Sequence, residues 1–143
     1  MNQKPLTFLL HDVVWKIDAE ADQILKAEHG LSFAKFYILA VLYSCQPTTQ
    51  ADLATCLMYS PAAVSKALQP LQEDGLVEVG PHPTHARKNL VSLTPKANAL
   101  VAQCTTQLEG LFVRRIEEAG LNPEVLRNNL NIINQVFKGS SNE

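Results

Sequence analysis

Apolar residues along this chain recur mostly at intervals of three and four, the spacing that lines one face of an α-helix. Leu10, Val14, Ile17, Ala21 and Ile24 form one such stripe; Ala97, Val101, Cys104, Leu108 and Leu111 form a second; Leu126, Leu130, Ile133 and Phe137 form a third. The ends of the helices are marked as well. Ser60-Pro61, Thr94-Pro95 and Asn122-Pro123 each set a capping residue before a proline, whose missing N–H costs nothing in a first helical turn. Thr49-Gln50-Ala51-Asp52 has capping-box spacing, and Gly30, Gly75 and Gly120 stand where helices should stop. The pattern predicts six helices, over roughly 5–28, 32–45, 49–56, 60–74, 94–118 and 122–138. Pro70 falls inside the fourth, which should therefore bend after Lys66 or end early.

The period changes once. Leu76-Val77-Glu78-Val79 and Leu90-Val91-Ser92-Leu93 are short, β-branched-rich runs flanking a turn-rich segment, Gly80 to Ala86, that no helix can cross. Two short helices, a tight turn and then a hairpin with a basic tip make a helix-turn-helix with a wing, a shape whose second helix fits the major groove of DNA. The expected fold is mainly α (α+β), six helices with a two-stranded wing in a single domain, 1–143. Residues 32–96 are the expected DNA-binding lobe. The long helices of 1–31 and 97–143 exceed what so small a lobe needs for its own core. A second copy of the chain would bury their stripes and give a two-fold dimer; an intramolecular bundle is the alternative. The last five residues, 139–143, read as a frayed tail.

Composition narrows the reading mainly by exclusion. No apolar run approaches the ~20 residues that span a bilayer, and the N-terminus lacks the plan of a signal peptide. Cys45, Cys56 and Cys104 are odd in number and widely spaced, so a reduced, cytoplasmic protein is expected. The net charge of −2 does not advertise nucleic-acid binding. Within residues 49–96, Lys66, Arg87, Lys88 and Lys96 face four acids, Asp52, Glu73, Asp74 and Glu78. Placement decides instead: Lys66, Arg87 and Lys88 fall where a winged helix meets phosphate.

On the helix at 60–74, Ala62, Ala63, Ser65, Lys66 and Gln69 share the outward side, and Val64, Leu68 and Leu71 the inward one. Small residues let a backbone approach base edges, and Ser, Lys and Gln bond to bases or phosphates. Arg87 and Lys88 sit at the hairpin tip, where an arginine can enter a narrow minor groove. Taken singly, these are also features of any polar helix face or solvated loop; their order along the chain is what distinguishes them.

The segment TTQADLATCLMYSPAAVSKALQPLQEDGLVEVG, followed by HARKNLVSLTPKA, resembles the multiple-antibiotic-resistance regulator (MarR) family of winged-helix repressors. Leu53-Ala54, Ser60 with Val64-Ser65-Lys66, Leu71 with Gly75-Leu76-Val77, and Leu93-Thr94-Pro95-Lys96 carry the likeness, and Gly30-Leu31-Ser32 with Leu39 and Leu42 extends it upstream. The resemblance implies a homodimer on a pseudo-palindromic operator, with the fourth helix in the major groove and a wing arginine, Arg87, in the minor groove. The DNA-facing residues would be Thr49, Ser60, Ala62, Ala63, Ser65, Lys66, Gln69, His85, Arg87 and Lys88. Three positions depart from the family pattern: His85 replaces an aspartate that braces the wing arginine, Val79 replaces an arginine, and Ala97 replaces a glycine. A histidine in the brace position would make the wing's geometry depend on pH; a solvent-exposed loop histidine is the simpler role.

The same resemblance implies a small aromatic or phenolic effector, for which His11, Trp15 and Tyr37 are amphipathic candidates. Packing is the simpler role for Trp15 and Tyr37. Oxidant sensing through Cys45 or Cys56 is a further alternative to ordinary buried thiols. No metal-ligand spacing, phosphate-binding glycine loop or nucleophile elbow appears, so neither an enzyme nor a cofactor is expected. The rival reading is a winged helix that binds another protein rather than DNA.

Overall fold

In the computed structural model, residues 3–138 are described. Helix α1 (Leu6–His29) leads to α2 (Phe33–Cys45), β1 (Thr48–Thr49), α3 (Gln50–Leu57) and α4 (Pro61–Glu73). Strands β2 (Val77–Pro81) and β3 (Asn89–Leu93) follow, then α5 (Pro95–Glu118) and α6 (Pro123–Val136). Contacts divide the chain into two units, residues 1–105 and 106–143, with α5 contributing to both. No helix among the described residues is long and apolar enough to cross a membrane.

The expected capping residues act as caps. Ser32, Thr49, Ser60 and Thr94 each accept the N–H three residues on, at 3.1–3.2 Å, and Asn122 Oδ1 accepts from Glu124 and Val125. At the other end of α4, Gly75 takes the left-handed conformation (φ 71°) and Leu76 N–H bonds back to Leu71 O at 2.9 Å. This closure turns the chain from helix into strand without leaving the last carbonyls bare. α4 neither stops at Pro70 nor before it. It continues to Glu73, and Asp74 N–H donates to the Pro70 carbonyl at 2.9 Å.

The first unit is built around Leu25, Leu39, Leu42, Leu53, Leu68, Leu71, Val64, Val91, Val101 and Cys104, all fully buried. Each such aliphatic side chain contributes about 1.5–3 kcal/mol from burial. These residues come from α1, α2, α3, α4, β3 and α5, so the helix-turn-helix shares its core with the wing's inner strand. Asp22 ties α1 to the start of α2: its carboxylate accepts the Phe33 N–H at 2.9 Å and pairs with Lys26 at 2.8 Å.

The sheet has three strands rather than the expected two, in the order β1-β3-β2, all antiparallel. β1 is two residues long, Thr48 opposite Val91 and Thr49 opposite Leu90. A run that short has no alternation to read. The Gln46 side chain, one residue past α2, supports this junction by accepting the Leu93 N–H at 2.8 Å and donating to Asn98 Oδ1 at 2.7 Å. It thereby anchors the wing's inner strand to α2 and to the start of α5.

In the second unit, Asn122 starts α6, and Arg127 bonds to Glu109 at 3.1 Å and Glu124 at 3.4 Å. None of the residues of α6 is buried.

Candidate nucleic-acid interface

α3 and α4 are joined by a turn of three residues, Met58, Tyr59 and Ser60. Met58 adopts the left-handed conformation (φ 57°) that usually falls to glycine. Its N–H and that of Tyr59 close α3 by bonding to Thr55 O at 3.2 Å and Ala54 O at 2.9 Å. The Met58 side chain is 92% exposed beside the start of α4. The sequence carries no glycine here, so this geometry had no signal.

α4 sorts its residues as its periodicity requires. Val64, Leu68 and Leu71 are buried, while Ala62, Ala63, Ser65, Lys66 and Gln69 are exposed on the far side. At 100° per residue, Ala62, Lys66 and Gln69 cluster opposite the buried stripe, with Ser65 beside them. No carboxylate lies among these five. Ser60 Oγ accepts the Ala63 N–H, leaving its hydroxyl proton free to donate to a phosphate. Thr49 is half-buried, and its Oγ1 is occupied as the cap of α3. Glu73 continues this face one turn beyond Gln69, at the C-terminal end of α4, and Asp74, past the end of the helix, pairs with Lys35 at 3.5 Å.

The wing brings Arg87 and Lys88 to one exposed tip. β2 and β3 pair from Val77–Leu93 to Pro81–Asn89, and His82 N–H donates to Lys88 O at 3.1 Å. Lys88 N–H in turn donates to His85 O at 3.1 Å, closing a turn over Ala86 and Arg87. The His85 ring is exposed, and the contact it makes is with His82, edge-on at 5.0 Å between centroids. It is His82 that organises this loop. Its Nδ1 lies 3.1 Å from the backbone nitrogens of both Thr84 and His85. Ring-to-backbone bonds in a loop leave no pattern in the sequence, which is why this residue escaped notice.

The candidate effector residues are exposed: His11 and Trp15 one turn apart on α1, and Tyr37 on α2 with its ring 6.1 Å from that of Phe33. A groove of about 240 Å³ lies between α5 and α6 within the second unit, lined by Phe112, Val113, Leu126, Arg127 and Leu130 among others, and none of the three candidates contributes to it. Of the thiols, Cys104 is buried, Cys45 half-buried and Cys56 exposed. Burial pushes both Cys45 and Cys104 above the usual thiol range, which disfavours the reactive thiolate. Among the described residues no group of three or more His, Cys, Asp or Glu is placed to hold a metal ion.

The family model for MarR matches residues 29–88, from the end of α1 through the helix-turn-helix to the wing tip. Over that segment the chain is similar to the MarR family. No curated protein matches it by sequence. Among solved structures, the reduced form of MarR from E. coli is 25% identical with a TM-score of 0.77, the match covering 96% of this chain and 99% of that one. A cysteine-to-serine mutant of E. coli MarR complexed with operator DNA is 26% identical with a TM-score of 0.76, covering 93% and 94%. The S. aureus MepR–DNA complex, at 20% identity and a TM-score of 0.75, covers 95% and 100% and shares the fold. The six-helix winged architecture is therefore that of MarR proteins over nearly the whole chain.

Proposed function

We propose that this chain is a MarR-type regulator: a homodimeric, sequence-specific DNA-binding repressor acting on a pseudo-palindromic operator. α4 enters the major groove, and Arg87 reaches the neighbouring minor groove. The observation that carries the reading is the outward face of α4 from Ala62 to Gln69: Ala62, Ala63, Ser65, Lys66 and Gln69 are exposed, short or amphiphilic, and the face carries no acid before Glu73 at the end of the helix. The wing tip adds Arg87 and Lys88 without a carboxylate. Thr49, Ser60 and His85 border these two surfaces. The likeness to MarR complexed with operator DNA supports the same use of the fold.

Residues 32–96 form the DNA-binding lobe in this reading, and 1–31 and 97–143 the dimerisation helices. Bare apolar side chains support the dimer: Leu6, Phe8, Val14 and Trp15 on α1, Val125, Ile132 and Val136 on α6, and Phe137 at its C-terminal end are each more than half exposed. Release of DNA is assigned to a small aromatic or phenolic ligand meeting His11, Trp15 and Tyr37, supported by three exposed rings that each carry a polar atom.

Selection of duplexes from a random pool by the full chain tests the function. An inverted repeat should emerge, with Lys66→Ala and Gln69→Ala weakening and relaxing its recognition and Arg87→Ala weakening binding to all sequences. Recovery of no sequence, with no binding to any duplex, would leave the protein-adaptor reading standing. Challenging the operator complex with a phenolic acid while following fluorescence of Trp15, the single tryptophan, tests the effector. Unchanged fluorescence and undiminished binding would remove the effector and leave the DNA reading intact.

A further inference from the structure

His82 is half-buried where the wing leaves β2. Two backbone N–H groups, from Thr84 and His85, converge on its Nδ1 at 3.1 Å, and Thr84 Oγ1 lies 3.3 Å from the same atom. An imidazole nitrogen met by two N–H donors must be the unprotonated one, so the ring is neutral with its proton on Nε2. Asn, Asp and Ser commonly do this in turns, accepting the N–H groups two and three residues on. The bond to His85 N–H fixes the residue whose carbonyl accepts Lys88 N–H, and that bond closes the turn containing Arg87. The N–H of His82 itself donates to Lys88 O, completing the ring of bonds.

We propose that His82 is the positioning residue of the wing: its neutral imidazole folds the tip that presents Arg87 and Lys88, and protonation of that ring dismantles the tip. This rests on the reading that the wing meets DNA. An imidazolium carries N–H on both nitrogens, so its Nδ1–H would point at two other donors. The ionisable groups of the wing are few. His85 is the ring in contact, Arg87 and Lys88 are cationic, and the flanking strands carry one ionisable side chain, Glu78 of β2. Acidification adds one positive charge to the wing but withdraws two, Arg87 and Lys88, from the duplex, so DNA binding weakens.

The test follows the backbone amides of Thr84, His85 and Lys88 by NMR in the full chain without DNA, from pH 8 to pH 5, in wild type, His82→Asn, His82→Ala and His85→Asn. The three amides should titrate together in wild type and in His85→Asn. In His82→Asn, whose Oδ1 remains an acceptor, they should stay at their neutral-pH positions, and in His82→Ala they should be displaced throughout. Operator affinity should fall roughly three- to tenfold between pH 8 and pH 5 in wild type relative to His82→Asn, the loss expected from one or two hydrogen bonds. Amides indifferent to both pH and His82→Ala would overturn the proposal, as would identical pH profiles for wild type and His82→Asn. If no variant binds DNA at any pH, the reading of the wing as a DNA contact fails, while the amide titration still decides what His82 does.

Discussion

Asp22 links α1 to α2 through one carboxylate. The Lys26 ammonium, and after it the Phe33 N–H, hold that carboxyl below the usual carboxylate range. The folded value lies under the unfolded one, so the stabilisation is complete above the unfolded range and is lost as pH falls through the folded value. Asp22→Ala should lower the urea midpoint near neutral pH, and its gap from wild type should close as pH drops below about 4. A gap that stays constant with pH would mean that the side chain acts by packing alone. His82 belongs to the same scale. There a single ring nitrogen holds two amides, as the Asp22 carboxylate holds an amide and an ammonium.

Elements were legible where their signals are local. A cap needs one oxygen three residues before an N–H, so Thr49, Ser60, Thr94 and Asn122 announced their helices, and the buried stripe Val64, Leu68 and Leu71 announced the face of α4. β1 was not legible, because its two residues owe their strand to pairing with β3 some forty residues on. The turn at Met58 was not legible, because a left-handed residue other than glycine leaves no signal in the sequence. Of the two outcomes Pro70 allowed, the early end does not occur: the loss of one hydrogen bond near the end of α4 is outweighed by the burial of Leu68 and Leu71 on either side of it. The wing tip was legible in its charges and not in its internal bonds, in which the His82 ring accepts the Thr84 and His85 N–H groups.

The long helices carry a prediction of their own. On α1, Phe8 and Trp15 lie seven residues apart on the side opposite Leu6, Leu10, Val13 and Ile17, so the helix is apolar on two sides and a single neighbouring layer covers only one. On α6, Leu130 and Ile133 are 46% and 43% exposed. Replacing both with glutamate should leave the helices formed and convert a micromolar dimer to a monomer in sedimentation. A wild-type chain that sediments as a monomer would contradict the dimer outright.

At the scale of the whole molecule, net charge and function point in different directions. The chain is acidic by two charges, and its winged segment is neutral. Attraction to DNA must therefore come from placement, with Lys66, Arg87 and Lys88 on the exposed reading face and tip and Asp74 engaged with Lys35 away from them. Two copies on one operator would present six such cations, and each phosphate neutralised releases condensed counterions from the duplex. That release makes the salt dependence of binding a direct count of the charges that touch DNA.

The most direct test of DNA recognition through this face is the affinity of the full chain for its selected duplex across a salt series. Six contacts predict a log–log slope of roughly −5, about a thousandfold loss between ~50 and ~200 mM salt, and a shallower slope for Lys66→Ala and Arg87→Ala. Binding that is absent at low salt, or present with a slope that neither substitution changes, would contradict it.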